Sequence, residues 1–307
     1  MTGPAPAPGS AFDGPAFNGP AFNGLALGLL CALIWGCHAV VSRLGMLTAM
    51  DAADITALRV GVAAALLFPV LARAGLATAG GIGWGRAMAL SLCAGATYNL
   101  MTVGGLAFAP TAHVAVLTPG LIPVMTQLVA WALLGIRPQG ARALGAGVAL
   151  AGVACVAGDG LLLAGPQAWI GDLMFVGAAL MWALYATASQ AWKVPALTGA
   201  AAVNVGSLAL LPAYLWHRAD GLPAVTLGDV ALQAVYQGVL LAIVTTVLFT
   251  RVVALLGGAR AALFTALVPP LGALLAWAVL GEALSVLQIV GAALVTCGLV
   301  LGLRGAR

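Results

Sequence analysis

Residues 115–152, AVLTPGLIPVMTQLVAWALLGIRPQGARALGAGVALAG, align without a gap on residues 261–298, AALFTALVPPLGALLAWAVLGEALSVLQIVGAALVTCG. Thirteen of the 38 positions are identical, including Pro123 with Pro269, Trp131 with Trp277, Gly135 with Gly281, Gly145 with Gly291 and Gly152 with Gly298. Chance identity in so biased a composition is roughly one position in ten, so the match marks an internal repeat. A second pair, residues 24–42 with 171–189, sets ALIWGCHAVVS against ALMWALYATAS. It matches Trp35 with Trp182, Ala39 with Ala186 and Ser42 with Ser189.

The repeated unit is apolar throughout. The 307-residue chain is 63% hydrophobic and only 7% charged, against roughly 25% charged residues in a soluble domain. Too few charges exist to coat a soluble surface, which excludes an ordinary cytosolic enzyme and a disordered chain. A net charge of +4 is too small for a groove that tracks nucleic-acid phosphates. What remains is a polytopic membrane protein. Its 41 glycines follow no collagen period and suit close approach of helices in a bilayer. Basic residues are almost all Arg, with Lys193 the exception, and Ala, Gly and Pro abound. This composition suggests a bacterium with a GC-rich genome, and hence the inner membrane.

A membrane helix needs about 20 apolar residues. Such runs recur at 24–43, 55–73, 86–106, 111–135, 141–159, 169–190, 197–216, 229–250, 259–280 and 284–303. The predicted fold is therefore all-α, with ten transmembrane helices, five in each copy. Five is odd, so the second copy enters the membrane from the opposite side. Inverted five-helix repeats of this kind belong to alternating-access carriers, with the site near the midplane. The expected organisation is a flexible cytoplasmic tail over 1–23, a first repeat over 24–160 and a second over 161–307. The tail repeats GPAFN and holds no Lys or Arg, so it is not the n-region of a signal peptide.

Charge orients the chain. With the N-terminus inside, the inner side collects Arg73, Arg86, Arg137, Arg142, Lys193, Arg251, Arg260, Arg304 and Arg307. The outer side collects Arg43 and Arg218, with Asp51, Asp54, Asp159, Asp172, Asp220, Asp229 and Glu282. That asymmetry predicts cytoplasmic termini.

These residues resemble the drug/metabolite transporter superfamily, specifically EamA-type exporters with 5+5 helices. The resemblance rests on ALIWG at 32–36, ALR at 57–59, and the stretch from APTAHVAVLTPGLIPV to ALLG. It rests equally on ALFTALVPPLGALLAWAVLGE at 262–282 and LQIVGAALVTCGLVLG at 287–302. It implies export of small organic solutes: amino acids, related metabolites or amphipathic drugs. The family pattern has LGE after both equivalent helices. Here the first copy reads Leu134-Gly135-Ile136, and only Glu282 keeps the acid. Uptake or exchange, as in nucleotide-sugar carriers of the same superfamily, is the alternative within transport. A membrane enzyme acting on lipid and a non-transporting sensor or assembly factor are alternatives outside it.

No phosphate-binding G-x-x-x-x-G-K-[ST], H-E-x-x-H or G-x-S-x-G is present, so neither ATP binding nor a catalytic constellation is read. The three histidines are scattered, and the five cysteines lie in apolar runs without C-x-x-C spacing. No metal, cofactor or disulfide framework is expected. The expected partners are a small-molecule substrate and the lipid bilayer, with no nucleic acid. Monomer and homodimer both remain open.

Candidate site residues follow from mid-helix depth and matched repeat positions. Trp35 and Trp182 read as packing or as an aromatic cavity wall, while the other six Trp sit near helix ends, as an interfacial belt would. His38 and Tyr185 lie about a turn further on, with Ser42 and Ser189 beyond them on the same face. Tyr98 and Asn99 lie midway along the third helix, Gln127 in the fourth and Asn204 in the seventh. Each reads either as a substrate contact or as a bridge between helices. Arg59 either snorkels toward Asp51 or Asp54 or meets a substrate carboxylate. His113 and His217 fall near predicted loops and receive no role. Pro119 and Pro123, with Pro269 and Pro270, mark kinks that are either static or hinges. No acid lies at mid-membrane depth, so an uncoupled facilitator is favoured over proton coupling through His38.

Overall fold

The computed structural model describes residues 20–137 and 140–304. The tail expected over 1–23 lies outside the described residues as far as position 19, and the first helix already begins at Pro20. Ten helical rods occupy the ten expected runs, and no strand occurs among the described residues. In chain order they are α1 (Pro20–Met46), α2 (Ala52–Gly75), α3 (Trp84–Ala94 and Ala96–Gly104), α4 (Thr111–Leu134) and α5 (Gly140–Leu162). The second copy supplies α6 (Ala168–Ala191), α7 (Ala196–His217), α8 (Leu227–Leu256), α9 (Gly258–Thr265 and Val268–Leu280) and α10 (Val286–Arg304).

Nine of the rods described are long and apolar enough to span a bilayer. The tenth, α3, is interrupted at Gly95, whose ψ of −134° leaves the helical region. The interruption is satisfied locally. The Ala96 N–H donates to Ser207 Oγ at 3.2 Å and the Asn99 amide donates to the Gly95 carbonyl at 3.0 Å. A Cβ at Gly95 would stand 1.9 Å from Ser207 Oγ, so only glycine fits. Freed backbone groups at membrane depth need such partners.

The acid-bearing connections all lie at one end of the bundle, called here the acid-rich end, and most Arg lie at the other. Large apolar side chains such as Leu25, Leu29 and Leu33 are exposed on one stripe of α1. Lipid solvates such a surface, whereas water would not. Inside, Val114, Val116, Leu117, Val156, Phe175, Val295 and Leu299 form the main core of α4, α5, α6 and α10.

The repeat leaves a geometric signature where α5 meets α10. A Cβ at Gly145 would lie 2.5 Å from the Gly298 carbonyl oxygen, and one at Gly152 would lie 2.6 Å from that of Gly291. Gly145 pairs with Gly291 in the alignment, and Gly152 with Gly298. Each glycine thus meets the equivalent of the other, as an isologous pseudo-two-fold contact requires. Gly298→Val is expected to force the helices apart and destabilise the protein by at least about 1–3 kcal/mol. Gly147→Ala, which faces open space on the partner helix α5, should be neutral or slightly stabilising. Unfolding midpoints of the two variants in detergent check the contrast.

Candidate functional site

Trp35, His38, Arg59, Tyr98, Trp182 and Tyr185 lie well inside their helices yet are only half-buried, and Ser189, two residues before the end of α6, is half-buried as well. The structure assembles them in two adjoining groups. Tyr98, Trp182 and Tyr185 form an aromatic row between α3 and α6, with ring centroids 5.1 and 5.3 Å apart. Trp35 packs edge-on against Phe249 at 5.0 Å, beside Tyr236 and Leu241 of α8.

The second group is polar and joins α1 to α8. His38 Nδ1 lies 3.4 Å from Ser42 Oγ, and the fully buried Gln237 donates to that oxygen at 2.9 Å. Gln233 donates to the Val41 carbonyl at 2.7 Å, and the Tyr236 hydroxyl donates to the Ile34 carbonyl. Tyr236 and Gln237 lie on a π-helical stretch of α8, Ala234–Val244, a distortion frequent at functional sites. Gly238 lets this stretch close on α2, since a Cβ there would stand 2.6 Å from Val62 Cβ. The close approach places Arg59 within electrostatic reach of His38, Tyr98 and Tyr236.

Other expected site residues are occupied locally. Asn204 donates to the Ala200 carbonyl at 2.8 Å and Gln127 to the Pro123 carbonyl at 3.3 Å, each back along its own helix. Asn99 serves the α3 interruption. Pro119 and Pro123 lie inside the continuous α4. Pro269 and Pro270 open the second segment of α9, directly after an interruption at Ala266–Leu267. An apolar groove between α2, α3 and α7, lined by Thr56, Val60, Leu100 and Leu211, includes none of the expected site residues.

Three polar clusters at the acid-rich end bridge the two repeats. In the first, Arg218 holds both Asp54 and Asp51, with Nε 2.9 Å from Asp54 Oδ1. His217 lies 2.7 Å from Asp51, and the Tyr214 hydroxyl donates to Asp54 at 3.1 Å. Asp51 and Asp54 also form the capping box that starts α2. Arg59 therefore does not reach these carboxylates. Burial pushes the Asp51 carboxyl upward. The His217 hydrogen bond, the Asp54 and Ala53 backbone donors and the Arg218 charge outweigh it and hold the group below its ordinary range. A depressed carboxyl contributes stability that is present above its unfolded pKa and lost as pH falls through the folded one. The clamp should hold from neutral pH to about pH 4 and weaken below it, which unfolding midpoints measured across that range would check.

In the second cluster Glu282 accepts from the Thr111 backbone at 2.9 Å and from its hydroxyl at 2.6 Å, capping α4. Arg43 lies 3.9 Å from the same carboxylate. The third was missed in the sequence. His113, fully buried, stands between Asp172 at 2.7 Å and Asp159 at 2.9 Å, and Gln288 donates to Asp159 at 2.8 Å. Four helices meet there. Its signal was faint: His113 is polar where the aligned position of the second copy is Ala259.

A model of the EamA-like transporter family matches residues 22–158 and again residues 169–304. A solved structure described only as the crystal structure of a protein superposes with a TM-score of 0.59 at 21% identity. The match covers 91% of this chain and 95% of that one, and it speaks to fold alone. None of the curated protein sequences matches.

Proposed function

The chain belongs to the EamA-like transporter family, and on that footing we propose that it exports small organic metabolites by alternating access, using the half-buried central cluster as its substrate site. The observation that carries this reading is the composition of the cluster. The first copy supplies Trp35, His38, Arg59 and Tyr98, and the second supplies Trp182, Tyr185 and the glutamines of α8. A site built at the seam of two inverted repeats changes its access when one repeat rocks against the other.

The aromatic row offers flat apolar contact, and the His38–Ser42–Gln237 chain offers neutral hydrogen-bonding groups. Half-burial leaves Trp35, His38, Tyr98, Trp182 and Tyr185 open to a small solute, while Ser42 and Gln237 are fully buried. The interruptions in α3 and α9 give helices places to bend where their freed backbone groups meet protein rather than lipid. Pro269 and Pro270 keep the α9 interruption from healing into one continuous rod. Export, rather than uptake, rests on the family pattern. The Arg-rich end faces the cytoplasm by the positive-inside rule, which places both termini there. Transport proceeds without ATP hydrolysis by this chain.

The test is solute flux into proteoliposomes, guided by metabolites that accumulate in the medium of cells carrying the protein. Trp182→Ala should weaken substrate affinity about tenfold, because a stacked aromatic contact is worth roughly 0.5–1.5 kcal/mol beyond its buried area. Equal affinity in the variant would remove the aromatic row from the site. A reporter fused after Arg307 that is active only outside the cytoplasm would overturn the orientation.

A further inference from the structure

Arg59 differs from every other member of the central cluster. It carries a full charge at any physiological pH, and among the described residues nothing neutralises it. The two carboxylates on its own helix, Asp51 and Asp54, are held by Arg218, His217 and Tyr214. Its neighbours on the other helices, His38, Tyr98 and Tyr236, supply no anion. It lies seven residues beyond the start of α2 at Ala52, about 10 Å along the axis, inside a helix long and apolar enough to span the bilayer. A cation at such depth normally pairs with an acid or faces a polar cavity. The equivalent helix of the second copy, α7, holds no Asp, Glu, Lys or Arg within Ala196–His217, so the charge is no requirement of the repeated fold.

We propose that Arg59 anchors the carboxylate of a small monoanionic organic substrate whose apolar body lies along Tyr98, Trp182 and Tyr185. The proposal rests on reading the central cluster as the substrate site. A guanidinium pairs bidentately with a carboxylate, and the pair is strongest where water is excluded. Charge balance selects the class. One cation neutralises one carboxylate, whereas a phosphate ester near neutral pH would leave excess negative charge buried. An organic ammonium ion meets repulsion from Arg59 and no carboxylate to offset it. Tyr98, Tyr236 and His38, which lie within electrostatic reach of Arg59, bear neutral polar groups that do not compete for its charge.

The experiment compares three probes of similar size, phenylacetate, its isostere phenylacetamide and the cationic phenethylamine, by isothermal titration and by shift of the unfolding midpoint on purified protein. Wild type should bind phenylacetate at least tenfold more tightly than either of the others. Arg59→Gln should lose that preference, and Arg59→Lys should keep part of it as a point charge without the fork. The unfolding midpoint of unliganded Arg59→Gln should not fall below wild type, because the substitution removes an uncompensated buried charge. Failure of wild type to bind phenylacetate, equal binding of the three probes, a preference that survives Arg59→Gln, or unfolding of both variants would each overturn the proposal. Arg59-dependent binding without flux in liposomes would overturn transport and leave this site standing. Flux that accepts all three probes alike would overturn this site and leave transport standing.

Discussion

His113→Leu is expected to be the most damaging single substitution away from the centre, lowering stability by about 3–5 kcal/mol. The ring touches two carboxylates at 2.7 and 2.9 Å, and Asp159 and Asp172 are 1% and 8% exposed. Ionised carboxylates only accept hydrogen bonds, so a ring between two of them is satisfied when both of its nitrogens donate. Leucine removes both donors and leaves two buried carboxylates facing an apolar side chain. Gln288 would remain a side-chain donor to Asp159, with the Ser285 hydroxyl beside it. Asp172→Asn alone should cost less, because an amide can still meet the ring. The triple variant His113→Leu, Asp159→Asn, Asp172→Asn should regain most of the loss, since a neutral set carries no stranded charge. Unfolding midpoints in detergent for the single, the asparagine and the triple variants decide the matter. A triple variant no more stable than His113→Leu would show that shape, not charge, holds this junction.

How much of this was legible in the sequence follows from how far each signal extends. The ten helices read directly, because each needs only a local apolar run of sufficient length. The repeat read from long aligned stretches, and the crossed contacts of Gly145, Gly152, Gly291 and Gly298 gave it a physical meaning. The interruption of α3 did not read, because Gly95 is one glycine among 41 and its special demand comes from Ser207, on α7. The paired glutamines of α8 were overlooked although Gln233 and Gln237 stand four residues apart, on one helical face. His113 and His217 fall near predicted loops, where the local sequence assigns them no partner. Yet His113 pairs with acids 46 and 59 residues away, and His217 with an acid 166 residues away. Such pairings depend on which helices pack together, which periodicity does not report. Arg59 shows the same limit. Its nearest acids in sequence look like its partners until Arg218 is seen to hold them.

The second large effect concerns gating. All six ion pairs among the described residues lie in the three clusters at the acid-rich end. Each cluster joins the first repeat to the second. At the opposite end no ion pair occurs among the described residues, and a cation–π contact sets Arg86 over Trp192 at 5.4 Å. If the repeats rock, these pairs favour the state closed at the acid-rich end, because opening that end separates their partners. Weakening them should move the population toward the opposite state by the free energy they contribute. The Arg218–Asp51 and Arg43–Glu282 pairs are partly exposed, so water screens them and their combined worth is modest, about 1–2 kcal/mol. Combining Arg218→Gln, Asp54→Asn and Glu282→Gln should therefore raise the open population roughly tenfold. Neutralising Asp54 together with Arg218 avoids stranding a buried carboxylate, so the fold should survive. Ser42, fully buried in the His38–Ser42–Gln237 chain one residue before Arg43, serves as reporter, carried by clamped and unclamped protein alike, once the five native cysteines are replaced. Ser42→Cys should react with a membrane-impermeant thiol reagent applied from the acid-rich side about ten times faster in the unclamped protein. Substrate affinity should change far less than the labelling rate, since none of the three residues belongs to the central cluster. Equal labelling rates with and without the clamps would mean that they fasten the helices together without selecting between conformations.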